Sequence, residues 1–177
     1  NVQGGYKPMD HLIEYFGGHA LFPPLTEWHQ SYVQGKGRSW GMETELSWRG
    51  EKTEASAYYT LMWNQRKFDD FYRDWYRDRN DSRHKLTLML KHKFTKRFEV
   101  YGCWNWRTGN RMTVESHYAE NTEPDQYDYM THFPVYSEPN NLQLPDYHRL
   151  DLGLNFHKTT KRGNLSTWNL SIYNVYC

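Results

Sequence analysis

The sequence predicts an all-β fold: about seven antiparallel strands of the kind that form a transmembrane β-barrel. Three observations lead to this prediction. Apolar and polar residues alternate over long stretches, connections are short at one end of the strands and long at the other, and tryptophans lie near strand ends. Each observation is typical of strands that have lipid on one face and an aqueous lumen on the other.

The composition fits half-polar strands better than it fits a large dry core. Only 37% of the 177 residues are hydrophobic, yet 18% are aromatic, including 8 Trp and 15 Tyr. A chain this polar would normally be disordered, but disordered chains contain few aromatic residues. The net charge of +1 predicts no nucleic-acid partner. No apolar run is long enough for a transmembrane helix, so any crossing of a membrane would be made by strands.

The strands are predicted in chain order from the alternation at period two. The first covers residues 6–16, although Pro8 disfavours the interior of a sheet. Three hairpins follow, and each consists of an alternating strand, a short polar turn and a second alternating strand. The hairpins cover residues 39–68, 83–108 and 147–176, with turns at residues 49–55, 94–99 and 157–166.

In each hairpin strand one set of alternating residues is apolar and the other is polar. We expect the apolar set to face lipid and the polar set to face the lumen. The apolar set is Trp40, Met42, Leu46, Trp48, Ala57, Tyr59, Leu61, Trp63, Leu86, Leu88, Leu90, Val100, Gly102, Trp104, Trp106, Leu150, Leu152, Leu154, Phe156, Trp168, Leu170 and Ile172. The polar set is Glu43, Glu45, Lys85, Lys91, Glu99, Asn105, Arg107, Arg149, Asp151 and Asn155.

The tryptophans favour a membrane barrel over a soluble sheet. Trp40 and Trp48 share one face and lie eight residues apart, which corresponds to ~20 Å along a barrel axis at a strand tilt of about 40°. An outer-membrane barrel has an apolar band about 25 Å tall with an aromatic girdle at each edge. In a soluble sandwich, Trp would concentrate at mid-strand, where the core is thickest. The predicted membrane-interface residues are Trp40, Trp48, Trp63, Trp104, Trp106 and Trp168.

Two long segments connect the hairpins and would face outward, as long connections do in bacterial barrels. In residues 68–81 the aromatic residues recur at helical spacing, which predicts a short amphipathic helix with Asp70–Arg73 and Asp74–Arg77 ion pairs. Packing of this segment on itself is the favoured interpretation, and an aromatic ligand platform is the alternative. Residues 110–146 are acidic and aromatic, so they are either a ligand-binding loop or a solvated one. The candidate ligand contacts are Trp75, Tyr76, Tyr127, Asp128 and Tyr129.

The sequence contains no motif that indicates an enzyme, a metal site or a cofactor. It has no nucleophile motif and no pair of carboxylates with a catalytic spacing. His84 and His92 share a strand face but lie too far apart to bind one ion. Cys103 lies within a strand and Cys177 is the last residue, so both are predicted to be unpaired thiols.

Six pieces of the sequence, taken in order, resemble the C-terminal part of a TonB-dependent outer-membrane receptor of the Bacteroidetes type. Each piece alone is weakly specific, but the ordered set spans nearly the whole chain. The pieces are KPMDHLIEY (7–15), GKGRSWGMETEL (35–46), DSRHKLTLML (81–90), RTGNRMT (107–113), LPDYHRLDLGLNF (144–156) and STWNLSIYNVY (166–176).

The resemblance implies a barrel of about 22 strands around a plug domain, with residues 1–177 as a C-terminal section of the barrel. The plug, the earlier strands and the final strand would lie outside this section. It also implies the outer membrane of a Gram-negative bacterium and import of a nutrient with energy from the TonB protein. The implied partners are the rest of the barrel, the plug, and the lipid bilayer with its lipopolysaccharide. A surface lipoprotein is a further candidate partner.

Three alternatives stay open at this point. A complete small outer-membrane barrel of about eight strands, with a structural or adhesion role, would alternate in the same way. The ordered resemblance and the missing final strand count against it. An outer-membrane hydrolase would need a catalytic cluster at the outer rim, which the sequence does not contain. A soluble lipocalin-like binder would not need two aromatic girdles.

Overall fold

The computed structural model describes residues 1–15, 32–70, 72–120 and 132–176. These residues form β-strands and no helix, and the predicted all-β, antiparallel class is therefore confirmed. In chain order the strands are β1 (Val2–Tyr15), β2 (Tyr32–Arg49), β3 (Thr53–Phe68), β4 (Tyr72–Arg77), β5 (His84–Lys93), β6 (Phe98–Arg107), β7 (Arg111–Met112), β8 (His117–Glu120), β9 (His132–Val135), β10 (Leu142–Gln143), β11 (Tyr147–Thr159) and β12 (Leu165–Ile172).

Seven long strands make one antiparallel sheet in the order β1-β2-β3-β5-β6-β11-β12. They correspond to the first predicted strand and the three predicted hairpins. The pairing between β3 and β5 ends at Leu61, and the short strand β4 pairs with the residues of β3 that follow. Within the described residues the sheet is open, because β1 pairs only with β2 and β12 pairs only with β11. No closed barrel is present among these strands.

The three hairpin turns are tight, and local polar groups hold each of them. The first closes with a backbone hydrogen bond of 2.8 Å from Gly50 to Thr53. In the second, the Thr95 hydroxyl oxygen accepts hydrogen bonds from the backbone N–H groups of Arg97 and Phe98. In the third, Gly163 has φ +83°, a left-handed conformation that glycine adopts without a steric penalty.

The strand register places the predicted apolar residues together on one side of the sheet. Leu88 lies opposite Ala57 on one neighbouring strand and opposite Trp104 on the other. The next residue along β5, Thr87, points to the other side, where its hydroxyl donates a 2.9 Å hydrogen bond to the Asn105 side chain. The register therefore confirms that one face of the sheet is apolar and the other is polar.

The predicted amphipathic helix in residues 68–81 is wrong, because this segment forms strand β4. Backbone groups at the end of β3 extend past β5, and β4 pairs with them at Gln65, Arg66 and Phe68. The predicted i,i+3 pairing of Arg77 is replaced by an ion pair with Asp81 at 2.5 Å. Helical spacing of aromatic residues was misleading here because the segment satisfies its backbone by pairing with the end of the preceding strand.

Several boundaries also differ from the predictions. Strand β2 begins at Tyr32 instead of residue 39, and β12 ends at Ile172 instead of residue 176. Strand β1 starts at Val2, so Pro8 lies inside it; proline is tolerated there because a β-bulge follows directly. A bulge between Met9 and Leu12 shifts the register, and His11 has φ +56° there. The long connection between β6 and β11 is also not a plain loop, since it contains the small sheets β7–β10 and β8–β9.

Candidate functional site

The apolar face carries large side chains that nothing in the described chain covers. Leu88 is 41% exposed, Leu90 55% and Leu170 64%. A soluble sheet would bury such a face against a second layer, because each large apolar side chain left in water costs about 1.5–3 kcal/mol. A contiguous apolar face of this extent is typical of surfaces that contact lipid or another protein.

An upper aromatic row crosses the apolar face at the end that carries the long connections. Trp40 and Trp63 stack across β2 and β3, with ring centroids 5.9 Å apart and an angle of 3° between the ring planes. Trp106 stacks against His84 at 6.4 Å. The indole N–H of Trp104 donates a 2.8 Å hydrogen bond to the hydroxyl of Tyr176.

A lower aromatic row lies at the opposite end of the same face, next to the short turns. Phe156 lies opposite Phe98 on β6 and opposite Trp168 on β12. Trp168 is 73% exposed and Trp48, on β2, is 59% exposed. Leucines and smaller side chains such as Ala57 and Val100 fill the region between the two rows.

The polar face carries cross-strand hydrogen bonds in place of a core. Glu99 is only 5% exposed and accepts a 2.8 Å hydrogen bond from the Asn155 amide, while the Lys91 ammonium lies 3.2 Å from it. The ring of Tyr101 covers Gly153 so closely that a Cβ there would lie 2.1 Å from the ring. Both arrangements stiffen the polar face without making it apolar.

Buried side chains are concentrated where β4 meets the end of β3 and residues 78–83, a region called the long-loop rim below. Asp81 is 1% exposed and accepts hydrogen bonds from Arg77 (2.5 Å), from Arg83 (3.1 Å) and from the backbone N–H of Asn64 (3.0 Å). Phe68 is fully buried, and its ring lies over Gly35. Asp81, an acid–base candidate by residue type alone, is thus held as a structural ion-pair centre.

A second ion-pair group of the long-loop rim involves Arg66, which pairs with Asp78 and also donates a 2.7 Å hydrogen bond to Glu14. Tyr76 lies next to these groups and is 4% exposed. Burial raises the pKa of the Tyr76 hydroxyl well above its usual value, and the nearby Glu14 carboxylate raises it further. A neutral tyrosine is therefore built into this rim.

The connection between β6 and β11 is fastened to the long-loop rim by Asn140 and Arg111. The Asn140 amide donates a 2.8 Å hydrogen bond to the backbone oxygen of Arg77. Arg111 donates from its side chain to the backbone oxygens of Asn140 (2.7 Å) and Asn141 (3.1 Å). Its backbone N–H also donates to Arg79 at 2.8 Å. The two outer connections therefore meet in one hydrogen-bonded unit.

The structure separates the predicted ligand contacts. Trp75 and Tyr76 are neighbours on β4 but lie on opposite sides, with Trp75 against the Arg38 guanidinium at 4.2 Å and Tyr76 buried beside Arg66. They do not form one platform. The other three candidates, Tyr127, Asp128 and Tyr129, lie outside the described residues, and their role stays a prediction.

Sequence analysis missed Arg38, Asp78 and Asn140, which organise the outer end of the sheet. A basic residue two positions from Trp40 was the available signal for Arg38. Asp78 and Asn140 carried no signal, since Asp78 pairs with Arg66 on another strand and Asn140 binds the backbone of Arg77, 63 residues away. Cys103 is unpaired as predicted, whereas Cys177 lies outside the described residues.

The described part of the chain contains no helix that is long and apolar enough to cross a bilayer. In the same residues no group of His, Cys, Asp or Glu side chains is arranged to hold a metal ion. The sequence matches no protein-family model, and comparisons with curated proteins and with solved structures gave no match.

Proposed function

We propose that the described sheet is a membrane-spanning wall section of an outer-membrane β-barrel. The observation that supports this proposal best is the exposed apolar face bordered by an aromatic row at each end. On β2 the two rows lie eight residues apart, or ~20 Å along a tilted strand, close to an apolar band about 25 Å tall. Lipid would cover the exposed leucines, and lumen water would hydrate the polar face.

The open edges of the sheet set a further condition on this proposal. In lipid, an unpaired backbone N–H or C=O group costs several kcal/mol. One side of β1 and one side of β12 have no partner among the described strands. Further strands must therefore pair with these two edges in the complete barrel.

The six ordered pieces of sequence support a finer proposal for the same barrel. The barrel belongs to a TonB-dependent receptor in the outer membrane of a Gram-negative bacterium, and it imports a nutrient. The described sheet supplies wall, lumen surface and outer connections, while a plug domain receives energy from the TonB protein. This section performs binding and transport rather than a chemical step.

Thiol labelling tests which end of the sheet faces outward. In a full-length Cys103→Ser, Cys177→Ser background, Glu138→Cys should react with a membrane-impermeant maleimide on intact cells. Lys161→Cys, on a short turn, should react only after the outer membrane is opened. Labelling of the Lys161 position alone on intact cells would invert the assignment, and labelling of both would argue against a membrane-spanning sheet.

A growth experiment tests the TonB proposal separately. A strain without this gene and a strain without the TonB protein are compared on a panel of scarce nutrients, such as iron chelates and oligosaccharides. Any nutrient whose use requires this gene should also require TonB. A nutrient that requires this gene in a TonB-independent way would contradict the transport proposal but would leave the barrel proposal intact.

A further inference from the structure

Three basic side chains, Lys36, Arg38 and Lys67, extend from the apolar side of the sheet just beyond the upper aromatic row. On β2 and β3, Lys36 lies opposite Lys67, and Trp40 lies opposite Trp63 four positions nearer the strand centres. If the aromatic rows mark the edges of the apolar band, as proposed above, these three cations lie at the level of the outer-leaflet head groups.

Arg38 is held in a fixed orientation. The ring of Trp75 lies 4.2 Å from its guanidinium carbon and the ring of Trp40 lies 5.3 Å from it. Its Nε–H donates a 2.8 Å hydrogen bond to the Gln65 side chain. Within the described residues no carboxylate forms an ion pair with Arg38. Its two Nη groups are therefore positioned to bind an anion in the bidentate way that suits phosphate.

The two lysines form an arrangement that an anion would stabilise. Like charges directly opposite each other on antiparallel strands are unfavourable, yet Lys36 lies directly opposite Lys67. Asp69 lies 3.2 Å from Lys67 but is 77% exposed. A cleft of about 360 Å³ beside the lysines is lined by Asp69 and Asp10 as well. With Arg38 included, cations outnumber carboxylates in this patch.

We propose that Lys36, Arg38 and Lys67 bind the phosphate of a phosphorylated glycolipid in the outer leaflet. This inference rests on the proposed membrane-spanning role. A lipid-borne phosphate is favoured over a soluble one because the three side chains share the side of Trp40 and the exposed leucines, and not the polar face. A phosphate supplies both the negative charge and the acceptor oxygens that the patch needs, and its acyl chains would lie along the apolar face.

The test uses the full-length protein in mild detergent, titrated with fluorescent bisphosphorylated lipid A. The test variant is Lys36→Gln/Arg38→Gln/Lys67→Gln. The matched control, Lys52→Gln/Lys96→Gln/Arg162→Gln, loses the same charge from the short turns. Because each basic residue near an anionic surface strengthens binding by about fivefold, the test variant should bind roughly 100-fold more weakly. The control should bind like the wild type, and Arg38→Lys should show a smaller loss than the test variant.

Lipid A without phosphates should bind wild type as weakly as the intact lipid binds the test variant. Equal binding of wild type and test variant, or an equal loss in the control, would overturn the site. Displacement by inorganic phosphate at the same concentration would overturn the lipid assignment. Heat-modifiable migration of all proteins on gels separates the two proposals. If the wild type does not show heat-modifiable migration, the barrel proposal fails. If the test variant is heat-modifiable and still binds the lipid like the wild type, only the glycolipid site is refuted.

Discussion

The seven long strands of the sheet, called the wall below, and the long-loop rim are stabilised in different ways. Along the middle of the wall, Leu88 and Met89 are adjacent residues with similar exposure, 41% and 47%, on opposite faces. At the rim, Phe68, Asp81 and Ser82 are almost completely buried. Among the described residues of the wall outside the rim, Glu99 is the only buried residue that is not a glycine. The wall thus depends on backbone pairing and on its surroundings, whereas the rim has a core of its own.

This contrast predicts where a substitution should affect stability. In the wall, the face of a residue should decide its effect, since under the barrel proposal one face contacts lipid and the other contacts water. At the rim, the partners of a residue decide, since removal of one member of a buried ion pair leaves the other charge uncompensated. The four predictions below test this contrast in order of decreasing effect.

The largest effect is expected at the rim, from Asp81→Asn. The amide cannot balance Arg77 and Arg83, so the free energy of local unfolding should fall by about 3–5 kcal/mol. Hydrogen exchange of the rim amides measures this loss. These amides include the Asn64 N–H, which donates a hydrogen bond to the Asp81 carboxylate. Asp69→Asn removes an exposed partner of Lys67 and should leave exchange unchanged. Similar protection in both variants would mean that the rim has no ion-pair core.

The next effect distinguishes the two faces of the wall. If the sheet is a barrel wall, as proposed, Leu88→Arg should destabilise the protein by about 2–4 kcal/mol near the bilayer midplane. Met89→Arg, one residue along the same strand, should be tolerated because Met89 lies on the polar face. Heat-modifiable migration and urea titration of both full-length variants in lipid provide the measurement. If the two variants lose stability equally, the assignment of lipid to the apolar face is wrong.

A smaller effect tests the packing of an aromatic ring over a glycine on the polar face. Gly153→Ala should displace the Tyr101 ring and break its 3.1 Å hydrogen bond from Asn169, at a cost of about 1–3 kcal/mol. In a Tyr101→Ala background the same substitution should cost much less, because no ring occupies the space. A double-mutant cycle with no coupling energy would show that the ring and the glycine do not interact.

The smallest effect concerns the pH dependence of the rim. The pKa of Tyr76 is raised by burial, so its stabilising contribution is fully present below the unfolded value of about 10. That contribution is lost as pH rises through the higher folded value. Phenolate absorbance of wild type and Tyr76→Phe should therefore coincide near pH 10 and diverge only at higher pH, as the rim opens. A difference already present at pH 10 would show that Tyr76 ionises like a solvent-exposed tyrosine.

Local pattern made most of the sheet predictable. Alternation at period two depends only on neighbouring residues, and it located seven strands, their faces and the three turns. Strand β4 was missed because aromatic residues at positions 72, 75 and 76 fit a helix as well as a strand. The choice depended on backbone groups at the end of β3, which β5 leaves unpaired and which the side-chain pattern of residues 72–77 does not reveal.

The all-β class and the two-faced character of the strands were therefore predictable from local pattern, because side-chain direction along a strand follows from backbone geometry. Which charges meet could be seen only in the folded chain. Asn140 binds the backbone of Arg77 from 63 residues away, and Trp75 on β4 reaches Arg38 on β2 across the intervening strand β3. Such pairings arise from the register between strands and from how the outer connections fold back, and neither is encoded in a local pattern of residues.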